Sequence, residues 1–316
     1  MGRPLILTNI TASKVASKLH VRVPSTSFLT FVLLLISLSM SAPVFGTIIA
    51  RSSINWNTGV LQLELTSPVD SRSSNPASAS TTTSAHIRRV MPQHMLSALL
   101  EIQVDSRRTV GTLVQENPSL LRSLETLASS ANPRPSRLSQ DLSQVRVEFT
   151  LNLFPDLIQL FIRHQTPNPV PELFVRQGTG VFTGLVIFAA NPLPARGETL
   201  RGSQVQSILQ PSIFMRIFDQ DLRTIYESNM VDPMLLKNHG SAAYTSSFDE
   251  SPYRDLIGNN PLRLTATEIF GVTNTDIILS NEAVQVLLAN PQNRKLLQEG
   301  RVLIIVNDQV LQQTLD

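Results

Sequence analysis

Residues 145–153 carry the feature that most limits what this chain can fold into, an unbroken alternation of apolar and polar side chains. The apolar positions are Val145, Val147, Phe149, Leu151 and Leu153. The positions between them are Arg146, Glu148, Thr150 and Asn152. A period of two places these sets on opposite faces of a β-strand. The segment therefore predicts a long amphipathic strand with one face in a core and the other in solvent.

Residues 47–70 predict a β-hairpin. Its arms are 47–56 and 60–66, and the Asn-Thr-Gly sequence at 57–59 supplies the turn. Residues 71–85 are rich in serine, threonine and alanine and poor in large apolar residues. This composition predicts a flexible linker.

Residues 86–171 predict a region of helices that also contains the amphipathic strand. Apolar residues recur every three or four positions at Ile87, Met91, Met95, Leu99 and Ile102. Pro92 is expected to kink this helix or to mark its start. Asn117 and Pro118 predict the start of a second helix, and the proline-rich segment 166–171 predicts a domain boundary.

Residues 172–316 predict a compact α+β domain. The strand candidates are 181–190, 213–218, 262–270, 276–279 and 301–306. Residues 302–306 contain no polar side chain, which predicts a central strand covered on both faces. Ser280 is the expected N-cap of a helix, and Gly300 is expected to end the next one. The predicted fold is thus α+β: an N-terminal hairpin and helical region with one long amphipathic strand, then a C-terminal mixed sheet packed with helices.

The first 46 residues predict a secretory signal. Their charged residues are Arg3, Lys14, Lys18 and Arg22, and an uncharged apolar run follows at 28–40. This run has 13 residues, fewer than the ~20 that span a bilayer, so cleavage is favoured. If the signal is not cleaved, residues 28–46 anchor the chain in the inner membrane. Either outcome predicts a periplasmic location for the remainder.

Charge and cysteine content exclude several classes of function. The chain has 26 basic and 24 acidic residues, and removal of residues 1–46 leaves 22 against 24, a net charge of about −2. This balance lacks the basic footprint of nucleic-acid binding, so no nucleic-acid partner is expected. The chain has no cysteine, which excludes disulfide scaffolds, cysteine nucleophiles and a lipid anchor on cysteine.

Few residues suggest chemistry. Asp219 and Asp221 can bind Ca²⁺ only if further oxygen ligands converge on them, and a polar hairpin turn is the alternative. No metal pair is predicted, because no two of the histidines after the signal stand four residues apart or in an HExxH motif. These histidines are His86, His94, His164 and His239. His239 is interpreted as a hydrogen-bonded loop residue, with catalysis as the alternative.

Two glycine-containing segments favour structural roles. Gly178, Gly180 and Gly184 are spaced one residue too widely for a dinucleotide fingerprint and precede a strand, so they predict a turn or close packing. The loop 258–261 (Gly-Asn-Asn-Pro) predicts a turn, with partner binding as the alternative. No catalytic, cofactor-binding or metal-binding residue is therefore assigned, and no cofactor is expected.

Several segments resemble known exported proteins. In the C-terminal part these are TGLVIFA (183–189), LQPSIFMRIFDQDLRTIYES (209–228), HGSAAY (239–244), GNNPLRLTATEIFG (258–271), TDIILSNEAVQVLL (275–288) and RVLIIVN (301–307). Their order resembles the exported bacterial family that includes flagellum-associated outer-membrane lipoproteins of the FlgP type. The upstream segments INWNTGVLQLEL (54–65) and VDSRRTVGTL (104–113) look like spirochaete periplasmic proteins of unknown role.

This resemblance implies a non-enzymatic part or assembly factor of envelope machinery, in some members near the flagellar basal body. The chain departs from the pattern because it lacks a lipobox cysteine and has Phe188 where relatives often have a carboxylate. The resulting prediction is a periplasmic structural or assembly protein, not an enzyme, that docks to envelope or flagellar periplasmic proteins. The inner membrane is a partner only if the signal stays uncleaved, and the oligomeric state is left open. The alternatives are a ligand-binding module and a hydrolase that uses Asp219, Asp221 or His239.

Overall fold

The computed structural model describes residues 47–69, 75–173 and 180–315. These residues belong to one compact unit. The predicted signal in residues 1–46, the linker residues 71–74 and Gly178 lie outside the described residues.

The strands of the described residues are numbered in chain order. They are β1 (Ile49–Asn55), β2 (Val60–Pro68), β3 (Asn132–Pro133), β4 (Arg137–Leu138), β5 (Gln144–Asn152), β6 (Leu185–Ala189), β7 (Leu193–Leu200), β8 (Ser203–Ser207), β9 (Ile217–Phe218), β10 (Thr224–Tyr226), β11 (Ala243–Thr245), β12 (Leu262–Thr265), β13 (Glu268–Phe270), β14 (Asp276–Ile278), β15 (Val302–Val306) and β16 (Gln312–Leu315).

The α-helices of the same residues are numbered separately. They are α1 (Pro76–Glu101), α2 (Val110–Glu116), α3 (Leu120–Ser129), α4 (Asp156–Gln159), α5 (Pro233–His239), α6 (Arg254–Ile257), α7 (Asn281–Leu288), α8 (Pro291–Gln298) and α9 (Asp308–Leu311). Two short 3₁₀ turns, Ser228–Met230 and Ser251–Tyr253, lie between them.

The N-terminal strands form an antiparallel sheet, which we call the N-terminal sheet. Its order is β16-β1-β2-β5-β3, and β4 also pairs with β5. The predicted hairpin is confirmed, because β1 pairs with β2 through seven consecutive residues from Ile49 to Asn55. The predicted amphipathic strand is confirmed as β5, whose apolar side chains are buried at every second position.

Helix α1 covers the apolar face of this sheet and corrects the linker prediction. The helix begins at Pro76 and continues through Pro92, so residues 76–85 are helical and not a flexible linker. Asn75 caps it by accepting hydrogen bonds from the backbone N–H groups of Ala77 and Ser78 at 3.1 and 3.3 Å. Serine and threonine hydroxyls in the first turns donate to backbone carbonyls of the preceding turn, as Thr81 does to Ala77.

The C-terminal region contains two sheets, where the sequence predicts one mixed sheet. Strands β11, β15, β6 and β12 form a parallel sheet in that order. Strands β10, β9, β14, β13, β7 and β8 form a second, mixed sheet. The single strand predicted at 262–270 divides into β12 and β13, which lie in different sheets. All five residues of β15 are buried, as the prediction of a central strand requires.

The two sequence regions share one hydrophobic core. A continuous cluster of buried side chains extends from Ile54 of β1 to Leu315 of β16. Strand β16 pairs with β1 and forms the outermost strand of the N-terminal sheet on that side. The boundary expected at 171/172 therefore separates regions of sequence that the fold joins through β16.

Candidate functional site

The solvent-facing side of the N-terminal sheet is a broad polar surface, which we call the open face. It forms because the apolar residues of β2 and β5 point toward α1, and the alternate residues point away from it. A groove of about 680 Å³ runs over this face. Its side chains are mostly arginine, glutamate, glutamine, serine and threonine, contributed by β1, β2, β5 and β16 together with Arg134.

Arginine side chains outnumber glutamate side chains in the lining of this groove. Glu64 of β2 forms an ion pair with Arg146 of β5 at 3.3 Å, and Glu148 forms one with Arg134 at 3.2 Å. Arg51 lies in register with Glu64 but forms no ion pair or hydrogen bond with the side chains of the described residues. Exposed ion pairs of this kind hold their partners weakly, so the arginines can exchange them for other carboxylates.

A free strand edge borders the open face. Strand β16 pairs with β1 on one side, and no described strand pairs with its other side. Gln312 and Thr314 of β16 line the groove. The backbone groups on the free edge can accept an additional extended segment.

A buried ion pair of the C-terminal region also bonds to the segment after α1. Arg216 donates through Nη2 to Asp276 Oδ2 at 2.6 Å and to Ser106 Oγ at 2.8 Å. The Asp276 side chain is fully buried, and this burial raises the pKa of its carboxyl while the hydrogen bonds from Arg216 oppose the rise. The backbone of Phe214 also donates to Val104 at 2.7 Å. The segment 104–106 therefore acts as a structural junction.

Asp219 and Asp221 lie in the hairpin turn between β9 and β10. Asp219 Oδ1 accepts hydrogen bonds from the backbone N–H groups of Asp221 and Arg223 at 2.9 and 2.8 Å. Asp221 points into solvent with 55 % of its side chain exposed. This geometry is the polar hairpin turn that the sequence offered as the alternative to a calcium site. Within the residues that the structure describes, no cluster of three or more histidines and carboxylates is placed to hold a metal ion.

His239 ends α5 and lines a small cavity of about 160 Å³. Trp56, Phe154 and Tyr244 form much of its wall, and the lining does not include Asp219 or Asp221. Burial lowers the pKa of the His239 imidazole, and its buried Nδ1 has no hydrogen-bond partner. The structure therefore does not join these three predicted hydrolase residues in one cleft.

Two buried tyrosines stabilise the region around this cavity. Tyr244 donates to the Ser212 carbonyl at 2.9 Å, and Tyr226 donates to the Ser241 carbonyl at 2.5 Å. Burial raises the pKa of both phenols above its usual value, so both remain neutral donors. Their role in the described contacts is structural.

Gly184 and Gly258 have the structural roles that the sequence favours for their segments. A Cβ at Gly184 would lie 2.5 Å from the backbone of Ile257, so this glycine permits close packing. In the loop 258–261, Asn260 accepts through its backbone oxygen from Thr183 and donates through Nδ2 to the Val181 carbonyl at 3.1 Å. Gly258 has a φ of +70°, which explains the glycine at that position.

Sequence reasoning missed the residues of the open face and of the buried junction. The sequence predicts Arg146 and Glu148 only as solvent-facing residues of one strand. It carries no signal for the contacts of Ser106, Arg216 and Asp276. The alternation in β5 did signal a polar face. No local signal predicts how four strands combine that face into a groove.

The fold and this surface define a class: an α+β protein with a polar sheet face and a buried scaffold sheet. Residues 47–160 match the family model described as Treponema pallidum Tp0624, N-terminal domain. Residues 184–308 match the model described as Treponema pallidum Tp0624, second domain. The chain is thus similar to two consecutive domains of a spirochaete protein, which agrees with the spirochaete resemblance of its upstream segments.

These matches do not extend to FlgP-type lipoproteins. No curated protein matches the chain. No helix of the described residues has the length and apolar character needed to cross a membrane. The span predicted at 28–46 lies outside those residues.

Proposed function

We propose that this chain is an exported, non-enzymatic docking protein of the bacterial envelope. Its open face would bind an acidic, extended segment of a partner protein. The observation that carries the proposal is the groove on the open face, which is lined by three arginines, Arg51, Arg134 and Arg146, and two glutamates, Glu64 and Glu148. The periphery of the flagellar motor, or another periplasmic assembly, is the setting that the sequence resemblance suggests.

The chemistry of the groove favours a peptide as the occupant. Arg51 is free to pair with a carboxylate, and the hydroxyl and amide side chains around it can bond to peptide groups. Glu64 and Glu148 would repel the continuous phosphates of a nucleic acid. A peptide can instead place its carboxylates at the arginines and neutral residues beside the glutamates. The free edge of β16 offers backbone pairing to the same extended segment.

Site-specific photo-cross-linking in intact cells tests this docking. We would place the cross-linker at Ser53 and at Thr314 on the open face, and at Gln292 on α8 as the control. The proposal expects one partner to be captured from both open-face positions and not from Gln292. Capture of the same proteins from all three positions, or from none, would contradict it.

A charge-removing pair sharpens the test. Arg51→Gln should lower the cross-linking yield several-fold, because Arg51 is the groove arginine without an internal ion pair. Arg88→Gln removes the same charge from an exposed position on α1 and should leave the yield unchanged. Equal yields in the two variants would exclude the arginine-dependent mode of docking.

Localisation and deletion test the setting. We expect the chain in the periplasmic fraction, and we expect its deletion to alter motility or envelope integrity. A cytoplasmic location, or a deletion strain with unchanged motility and envelope, would contradict this part of the proposal.

A further inference from the structure

A second cleft, of about 320 Å³, lies at the junction between the two family-matched regions. Its walls come from the segment 104–113, from residues 161–164 after α4, and from the C-terminal region around Phe214 and Asn229. Backbone hydrogen bonds fix these walls, since Phe214 donates to Val104 at 2.7 Å and Asn168 donates to Asn229 at 2.8 Å. Clefts of this size at the junction of domains are common positions for small-molecule sites.

The interior of this junction cleft is apolar. Leu113, Phe161 and Phe214 line it, and each is at least 90 % buried. Two aromatic rings and a leucine provide a carbon surface that favours the apolar body of a ligand.

One free positive charge lines the cleft. Arg163 is exposed and makes no ion pair with the described residues. Arg108 also lines the cleft, but its guanidinium donates to Asp105 Oδ2 at 2.8 and 2.6 Å, and this hydrogen bonding raises the pKa of Arg108. Arg163 is therefore the group available to pair with an anion.

Two other polar groups of the cleft are not available to a ligand. Asn229 Oδ1 is inaccessible to solvent, so a ligand in the cleft does not reach it. The Nε2 of His164 is occupied, because it donates to the Val231 carbonyl at 2.8 Å.

We propose that the junction cleft binds a small organic acid with an apolar body. The body lies against Leu113, Phe161 and Phe214, and the carboxylate pairs with Arg163. This site is independent of the open face, so each proposal can fail without the other.

The first experiment titrates the full chain with 4-hydroxyphenylacetate and measures binding by calorimetry or ligand-observed NMR. We expect saturable binding with a dissociation constant of about 1 mM, as befits a ligand of this size. The neutral amide of the same compound should bind at least about 10-fold more weakly, because it cannot form the charged pair.

A pair of variants separates this site from binding elsewhere. Arg163→Gln should weaken binding of the acid at least about 10-fold and leave binding of the amide unchanged. Arg107→Gln removes a neighbouring exposed arginine that does not line the cleft, and should have no effect. The proposal is overturned if the acid does not bind saturably, if acid and amide bind equally, or if Arg163→Gln binds like the parent.

Discussion

The N-terminal sheet and the parallel C-terminal sheet differ in how many faces of their strands are buried. In β5 the buried residues alternate with exposed or half-buried ones, because α1 covers one face and solvent the other. In β15 every residue is buried, because neighbouring strands and packed elements surround it. The open face can therefore meet a partner, whereas the parallel sheet serves as a scaffold.

The largest difference should appear when one residue is truncated in each sheet. Ile304→Ala in β15 leaves a cavity in a fully buried site and should lower the free energy of unfolding by about 2–5 kcal/mol. Thr150→Ala on the open face of β5 should change it by less than about 0.5 kcal/mol. Urea unfolding of both variants measures the contrast, and comparable losses would mean that the open face is not a solvated surface.

The next largest effect should come from the ion pair at the junction of the two regions. Asp276→Ala leaves Arg216 without its carboxylate and should destabilise the fold by about 3 kcal/mol, near the lower limit for buried pairs because Arg216 is partly exposed. Asp221→Ala, at an exposed carboxylate, is the matched control. Equal stability of the two variants in thermal unfolding would show that the Arg216–Asp276 pair does not stabilise the fold.

His239 should give the C-terminal region a dependence on pH. Burial lowers the pKa of its imidazole in the fold, whereas the unfolded chain titrates near ~6.5. As the pH falls below this value, the His239 imidazole is protonated in the unfolded state before it is protonated in the folded state. The free energy of unfolding should therefore fall as the pH falls, by at most about 1.4 kcal/mol per pH unit.

Denaturant unfolding at a series of pH values measures this slope. His239→Gln should flatten it even if the variant is less stable at every pH. His94→Gln on α1 should keep the parent slope. An unchanged slope in His239→Gln would show that this imidazole does not control the acid sensitivity.

The smallest effect should come from the ion pairs of the open face. Glu148→Gln should cost about 0.2–1 kcal/mol, because Glu148 and Arg134 are both partly exposed. A double-mutant cycle with Arg134→Gln isolates the pair. A coupling free energy above that range would indicate that the pair is held rigidly. That result would contradict the expectation that the arginines of the open face exchange partners.

Elements with a local pattern could be predicted from the sequence. The alternation of β5 and the uninterrupted apolar run of β15 specify their own environments, and both predictions are confirmed. Ser280 caps α7 as expected, by accepting from the backbone N–H of Ala283 at 3.2 Å. The α+β class follows from these elements.

The linker prediction shows how composition can mislead. Residues 76–85 favour a linker by their serine and threonine content, yet Asn75 caps a helix that begins at Pro76. The similar pair Asn117 and Pro118 is predicted to start a helix and does not: α3 begins at Leu120 with Ser119 as its N-cap, and Asn117 is the C-cap of α2. Packing of α1 against the sheet then stabilises the helix despite its weak propensity.

Features that depend on distant residues could not be predicted. The free arginine of the open face, the junction ion pair and the pairing of β16 with β1 each join segments far apart in sequence. Arg216 and Ser106 are 110 positions apart, for example, and neither position carries a local motif for the other. The candidate sites are therefore products of the tertiary fold.

The pairing of β16 with β1 also sets an order on folding. Ser52 donates to the carbonyl of Leu315, 263 positions away, so β1 completes its pairing only after residue 315 has been synthesised. Contacts this distant in sequence slow folding, and an unpaired strand invites pairing with other chains in the meantime. Until β16 has been synthesised, the edge of β1 that β16 covers is therefore open to pairing with other chains.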